Sequence, residues 1–157
     1  MLASEGSREE LAGDVAVTDL ADAIRETSSA AGQDEAGVVL TDHIALLATQ
    51  PFHGYQQWWG LYANPLGEYP ERRAFLESLE GLPGDQVAER LRADGQAPTS
   101  FALEVDDGEV TFRSTDWDPG GTRGGAWRVT FPVEVFEGAD FESTRVGDWL
   151  VAALRTG

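Results

Sequence analysis

Cysteine and lysine are both absent from this chain of 157 residues. Without cysteine there are no disulfide staples, no thiolate metal sites and no thiol nucleophile. All 11 basic residues are arginines, set against 28 acidic ones, and the net charge is −17. That balance excludes nucleic acid and anionic lipid surfaces as partners, because both are bound through a basic footprint. Long apolar runs are missing too. No stretch approaches the length of a membrane span, and residues 1–13 lack the apolar core of a signal peptide. If the parent protein is membrane-bound, this chain is expected to be its soluble part. The two histidines, His43 and His53, are not at zincin spacing, and neither a G-x-S-x-G elbow nor a G-x-G-x-x-G fingerprint occurs. Carboxylates are too numerous for a glycosidase-like pair to be singled out. Residue chemistry alone therefore reads as a binding or structural domain rather than a complete enzyme. It nominates no catalytic residue, no metal and no cofactor.

What is present is a folded chain. Hydrophobic residues make up 41% and aromatics 10%, enough for a real core at this length. The reading is a loosely ordered segment over 1–17, then a single soluble α/β domain over 18–157. Its layout is α+β: an N-terminal helix–strand unit, short helices, then a mostly antiparallel sheet with two hairpins. Residues 18–32 have the 3.6-residue period of an amphipathic helix, with Leu20, Ala23, Ile24, Thr27 and Ala31 on one face. Thr18 is the expected N-cap and Gly32 the stop. GVVLT over 37–41 reads as a buried strand. Asp42 stands at its carboxyl end, where open α/β units bind ligands, and it is equally the expected cap of a helix over 44–49. Helices follow over 70–80 and 85–94, the second capped by Asp85. They carry Arg72, Arg73, Arg90 and Arg92, which either clamp a phosphate or decorate solvated faces.

From Ser100 the period changes to two. Asp107-Gly108 is a type I′ hairpin signal. It pairs Val105 with Val110 and Leu103 with Phe112, both on one face. Gly147-Asp148 signals a second hairpin between 141–146 and 149–154. Between them, residues 115–125 form a glycine-rich loop without phosphate-loop spacing. Asp116 and Asp118 in it lack the further oxygen ligands of a calcium loop.

The stretch over 51–70, PFHGYQQWWGLYANPLGEYP, concentrates the chemistry. It holds all three tyrosines and two of the five tryptophans, and glycines and prolines break it repeatedly. Such a segment is an ordered loop that plugs the core or faces a ligand. Sugar rings stack their apolar faces on Trp and Tyr while their hydroxyls reach amides and carboxylates. Trp58, Trp59, Tyr62, Gln56 and Asn64 offer that mixture, and Asp42 is a further polar candidate.

VVLTD over 38–42 and TQPFHGYQQWWGLYANPLGEYPERRAFLESL over 49–79 resemble the soluble C-terminal region of the actinobacterial priming arabinofuranosyltransferases. The family pattern Tyr-Ala-Asn-Pro-Leu is matched by residues 62–66. A following aromatic and arginine are matched by Tyr69 and by Arg72 or Arg73. The closing run over 141–155 also fits, so the resemblance covers most of 38–157. It implies transfer of arabinofuranose from a decaprenyl-phosphate donor to cell-wall galactan, at the extracytoplasmic face of the membrane. The partners it implies are carbohydrate, either the galactan acceptor or the lipid-linked arabinose donor, and the membrane part of the parent enzyme. Substrate contact falls on Trp58, Trp59, Tyr62, Gln56, Asn64, Tyr69, Asp42 and Arg72. The family's membrane helices and acceptor-activating carboxylates are not in this chain, so alone it is expected to be inactive. The alternatives are a free-standing carbohydrate-binding module and a structural or subunit-contact domain without ligand.

Overall fold

The computed structural model describes residues 15–55, 69–117 and 123–156. The first helix, α1, spans Val17–Ala30 and buries Leu20, Ala21, Ala23, Ile24, Thr27 and Ser28. It starts one residue earlier than the periodicity predicts. Ala16 is its N-cap, without a side-chain cap bond, and Thr18 lies inside the first turn. Its end follows expectation. Gly32 sits at φ +88°, and the N–H groups of Gly32 and Gln33 donate to the carbonyls of Ser29 and Ser28. These are the two bonds of a Schellman stop, which needs a residue tolerant of left-handed backbone.

After α1 come β1 (Val38–Thr41), the short helix α2 (Ile44–Thr49) and the two-residue β2 (His53–Gly54). Helices α3 (Tyr69–Leu79) and α4 (Gly84–Ala93) follow. Pro83, not Asp85, is the N-cap of α4, which starts one residue early and places Asp85 in its first turn. An acid there still favours the positive end of the helix dipole. The remainder is β3 (Ser100–Asp106), β4 (Glu109–Trp117), β5 (Arg123–Pro132), one 3-10 turn (Val133–Phe136), β6 (Phe141–Val146) and β7 (Trp149–Leu154).

The strands among the described residues form one seven-stranded sheet. Its order is not purely antiparallel: β1 runs parallel to both β2 and β3. The other pairings, β3 with β4 and β7, β4 with β5, and β6 with β7, are antiparallel. Both hairpins have the expected register. Val105 opposes Val110 across Asp107 and Gly108, whose φ values of +49° and +76° suit a type I′ turn. Val146 opposes Trp149 across the second turn. Leu103 and Phe112 are both fully buried in one cluster, although the β3–β4 ladder itself ends at Glu104 and Thr111.

That early ending organises the sheet. β7 pairs along β3 from Ser100 to Glu104, occupying one edge. β1 pairs with Ser100–Ala102 and β4 with Glu104–Asp106, so these two share the opposite edge end to end. The sheet therefore forks at Leu103. One branch leads through β1 to β2, the other through β4 to β5.

Alternation along β1, β3 and β7 sends side chains to both faces, and both are covered. Leu40, Phe101, Leu103, Leu150 and Ala152 join the cluster with α3, α4 and the 3-10 turn. Val39, Ala102 and Val151 meet α1 and α2. No helix among the described residues is long and apolar enough to cross a membrane.

Candidate functional site

The fork places Asp42. β1 ends at Thr41 just where β4 peels away from β3, and the departing strand has an N–H without a β3 partner. The Oδ2 of Asp42 accepts that N–H, from Arg113, at 3.0 Å. The Arg113 guanidinium lies 3.8 Å from the same oxygen and 3.3 Å from Glu104 Oε2. Asp42 does not cap α2. The cap is His43, whose Nδ1 accepts the N–H of Leu46 at 3.2 Å. The expected cap is displaced because the Asp42 carboxylate has an orphan strand donor to satisfy, and an imidazole nitrogen serves the helix as well. The His43 N–H in turn donates to Thr41 Oγ1.

The Asp42 side chain is only 8% exposed. Burial pushes its carboxyl above the usual range, the Arg113 hydrogen bond and charge oppose that, and Glu104 adds to it. When ionised, a carboxylate so placed is a hydrogen-bond acceptor in a poorly hydrated setting. Beside it, the His43 ring lies 5.1 Å from Trp149 at a tilt of 59°. Trp149 pairs with Glu104 across β7 and β3. The carboxyl end of β1 thus gathers Asp42, His43, Glu104, Arg113 and Trp149.

The base of the aromatic stretch is attached to the same strand. The Tyr55 N–H donates to Val39 O at 2.8 Å. Tyr55 is 2% exposed and its phenol is pushed up to about 12, first by burial and then by the Asp94 charge, with Arg72 opposing. Arg72, in the first turns of α3, donates from Nη1 to Tyr55 O and sets its guanidinium 5.2 Å from the Tyr55 ring. Residue 55 enters the stretch and residue 69 leaves it, so Arg72 ties its two ends together. Gln56, Trp58, Trp59, Tyr62 and Asn64 lie outside the described residues, as does the side chain of Tyr69, the first residue of α3.

The other helix arginines serve different partners. Arg73 pairs with Glu77 and lies 5.0 Å over the Trp127 ring. Arg90 donates to Ser78, and Arg92 to Asp140 and to Arg155 O. Each braces a separate pair of elements, which does not make a common phosphate clamp. Asp118 and the side chain of Asp116 lie outside the described residues.

Residues 5–154 match the family model for the C-terminal region of arabinofuranosyltransferase A. The chain belongs to this family. Within this arabinofuranosyltransferase C-terminal family, a stretch of 52 residues is 44% identical to a galactan 5-O-arabinofuranosyltransferase of Corynebacterium glutamicum, covering 33% of this chain and 8% of that protein. A second protein of the same name, from Mycolicibacterium smegmatis, is 27% identical over 124 residues, 76% of this chain and 20% of that protein. The chain thus spans a fifth or less of the length of these curated relatives.

The sequence of this family member nominates Asp42 and Arg72; the structure adds Glu104, Arg113, His43 as a cap and Trp149 as neighbours at the end of β1. The Gly147-Asp148 turn fixes Trp149 opposite Val146. Nothing local pairs β7 with β3 or brings β1 to the edge that β4 leaves.

Proposed function

We propose that this chain is the extracytoplasmic part of a longer arabinofuranosyltransferase and holds its carbohydrate, galactan acceptor or lipid-linked arabinose donor, beside a membrane-held active site. The observation that carries this reading is the tie between Tyr55 and Arg72. It joins the two residues that flank a stretch rich in Trp, Tyr and amides, and Tyr55 is itself bonded to Val39 of β1. Family membership and the printed function of the relatives supply the ligand class. Galactan, being neutral, is compatible with a domain of net charge −17, whereas an anionic acceptor would be repelled. In this reading Trp58, Trp59 and Tyr62 stack furanose rings, Gln56, Asn64 and Asp42 take hydroxyls, and Arg72 with Tyr69 position the loop.

Stacking and a few wet hydrogen bonds leave little surplus over the costs of binding, so affinity is about millimolar to high micromolar. Titrating galactofuranose oligosaccharides while following Trp fluorescence tests the reading. Wild type responds, and Trp58→Ala and Trp59→Ala lose the response while remaining folded by circular dichroism. No response in wild type, or two variants that merely unfold, returns the aromatic stretch to the core. Glycosyl transfer requires an oriented base and a stabilised leaving phosphate. The chain alone, given lipid-linked arabinose and galactan, is therefore expected to make no product above a boiled control.

A second reading, a contact domain for the rest of the longer protein, is favoured by Ile44. It is 53% exposed and adjoins the His43–Trp149 ring pair. It predicts that Ile44→Asp disrupts the longer enzyme without changing sugar binding by this chain.

A further inference from the structure

Between α1 and the segment that precedes β2 lies a cleft of about 380 Å³, with Arg25, Ser29, Gln33, Asp34, Glu35 and Phe52 among its walls. This volume falls in the range of small-molecule sites. Its walls are held independently of any ligand. Gln33 Nε2 donates to the carbonyls of Thr99 and Leu154, at 3.1 and 2.9 Å. Behind it, Ser28 Oγ and Ser100 Oγ are 3.0 Å apart, joining α1 to β3. The Schellman stop at Gly32 fixes the turn into Asp34 and Glu35. Arg25 of α1 reaches the opposite wall: its Nη2 donates to Gln50 Oε1 at 3.0 Å, and its guanidinium lies 5.2 Å from the Phe52 ring. The Phe52 N–H returns to Gln50 O at 2.8 Å. One arginine thus braces the whole Gln50–Phe52 corner against α1.

We infer that this cleft is a second carbohydrate subsite, which holds a sugar of the galactan chain away from the end held at the aromatic stretch. The inference rests on the carbohydrate reading above and extends it to a polymeric acceptor. The relatives are named for a polymer acceptor, and a polymer presents many rings to an enzyme at once. The wall chemistry suits an uncharged polyol. Asp34 and Glu35 are exposed acceptors, Ser29 both donates and accepts, and Arg25 keeps donors beyond those it spends on Gln50 and Asp22. Sugar hydroxyls satisfy acceptors and donors together, with hydrogen bonds strengthened by the charges on one partner. An anion would meet two carboxylates beside a single, already paired arginine. Phe52 and Pro51 give the apolar surface for a ring face. The position is right as well. Phe52 precedes Tyr55, where the aromatic stretch begins, by three residues, at most about 10 Å of extended chain.

The test uses this chain and galactofuranose oligosaccharides of increasing length, read by amide NMR shifts. The expected result is that short oligomers shift resonances of the aromatic stretch and the carboxyl end of β1 but none in the cleft, while longer ones also shift Ser29, Asp34, Glu35 and Phe52 and bind several-fold tighter. The exposed double substitution Asp34→Asn with Glu35→Gln, which leaves the fold intact, removes that length-dependent gain. Phe52→Ala does the same. Shifts in the aromatic stretch with none in the cleft at any length overturn this inference and leave the first reading standing. Cleft shifts with none in the aromatic stretch support the cleft and overturn the first reading. A length-dependent gain that persists in both variants also overturns the cleft.

Discussion

The two faces of the sheet are built by different means. On one, Phe101, Phe112, Phe131, Phe136, Phe141 and Trp127 fill the space under α3, α4 and the 3-10 turn. Phe136 is the hub: its ring lies 5.0 Å from Phe101, 5.2 Å from Phe141 and 5.9 Å from Phe131. On the other, Ala21, Ala23 and Ala102 let α1 approach the strands closely, with Leu20, Ile24, Val39 and Val151 between them. The first face is stabilised by volume, the second by closeness. Each is consequently sensitive to the opposite kind of substitution.

The largest expected effect is on the aromatic face. Phe136→Ala and Phe112→Ala should each cost about 3–5 kcal/mol, measured by chemical denaturation. A loss under about 1 kcal/mol would show that the cluster repacks and that volume is not what holds this face. On the α1 face, the informative change adds volume. Ala102→Leu should cost about 1–3 kcal/mol through overpacking. A neutral result would mean that the helix moves away freely and that closeness is unimportant.

The same comparison explains what could be read from the sequence. The helix of residues 17–30 and both hairpins are local objects, with a period, a stop residue or a turn dipeptide within a few positions of every pairing they set. The fork is not local. Val39 pairs with Ser100 and Ala102 with Val151, and the parallel partner of β1 carries no turn signal. Asp42 could be placed at a strand end from the run GVVLT. Its actual partner, the Arg113 N–H, depends on where β4 leaves β3, which no nearby residue announces. His43 is a weak N-cap by general preference, so the assignment of Asp42 to that role followed propensity and was overridden by a tertiary hydrogen bond.

Two smaller effects sharpen the contrast between core and site. Arg72→Ala removes a charge-assisted bond to Tyr55 O and should cost about 1.5 kcal/mol. Its distinctive signature is faster hydrogen exchange at the Tyr55 amide, since the base of the aromatic stretch loosens. Unchanged exchange there would show that Val39 alone holds the base. The smallest effect concerns Asp42. Its carboxyl is held above the ordinary 3.8, so the folded chain keeps that proton more tightly than the unfolded chain. The associated stability is fully present below the unfolded value and is lost as pH rises through the raised one. Asp42→Asn, permanently uncharged, should therefore gain on wild type as pH rises from about 3.5 to about 7. A stability difference that stays flat over this window would contradict the burial of the carboxylate.

Neither face of the core needs a ligand to explain it, whereas the carboxyl end of β1 combines a buried carboxylate with exposed charges, and the base of the aromatic stretch is tied to the same strand at Val39. The central claim is that carbohydrate binds there. The most direct measurement is an amide NMR titration of this chain with a galactofuranose oligosaccharide, mapping shifts onto both core faces and the fork. The account predicts shifts at Asp42, His43, Tyr55 and Arg113, together with residues 56–68, and none at Phe131, Phe136 or Ala21. A spectrum that does not change, or changes confined to other surfaces, would contradict it.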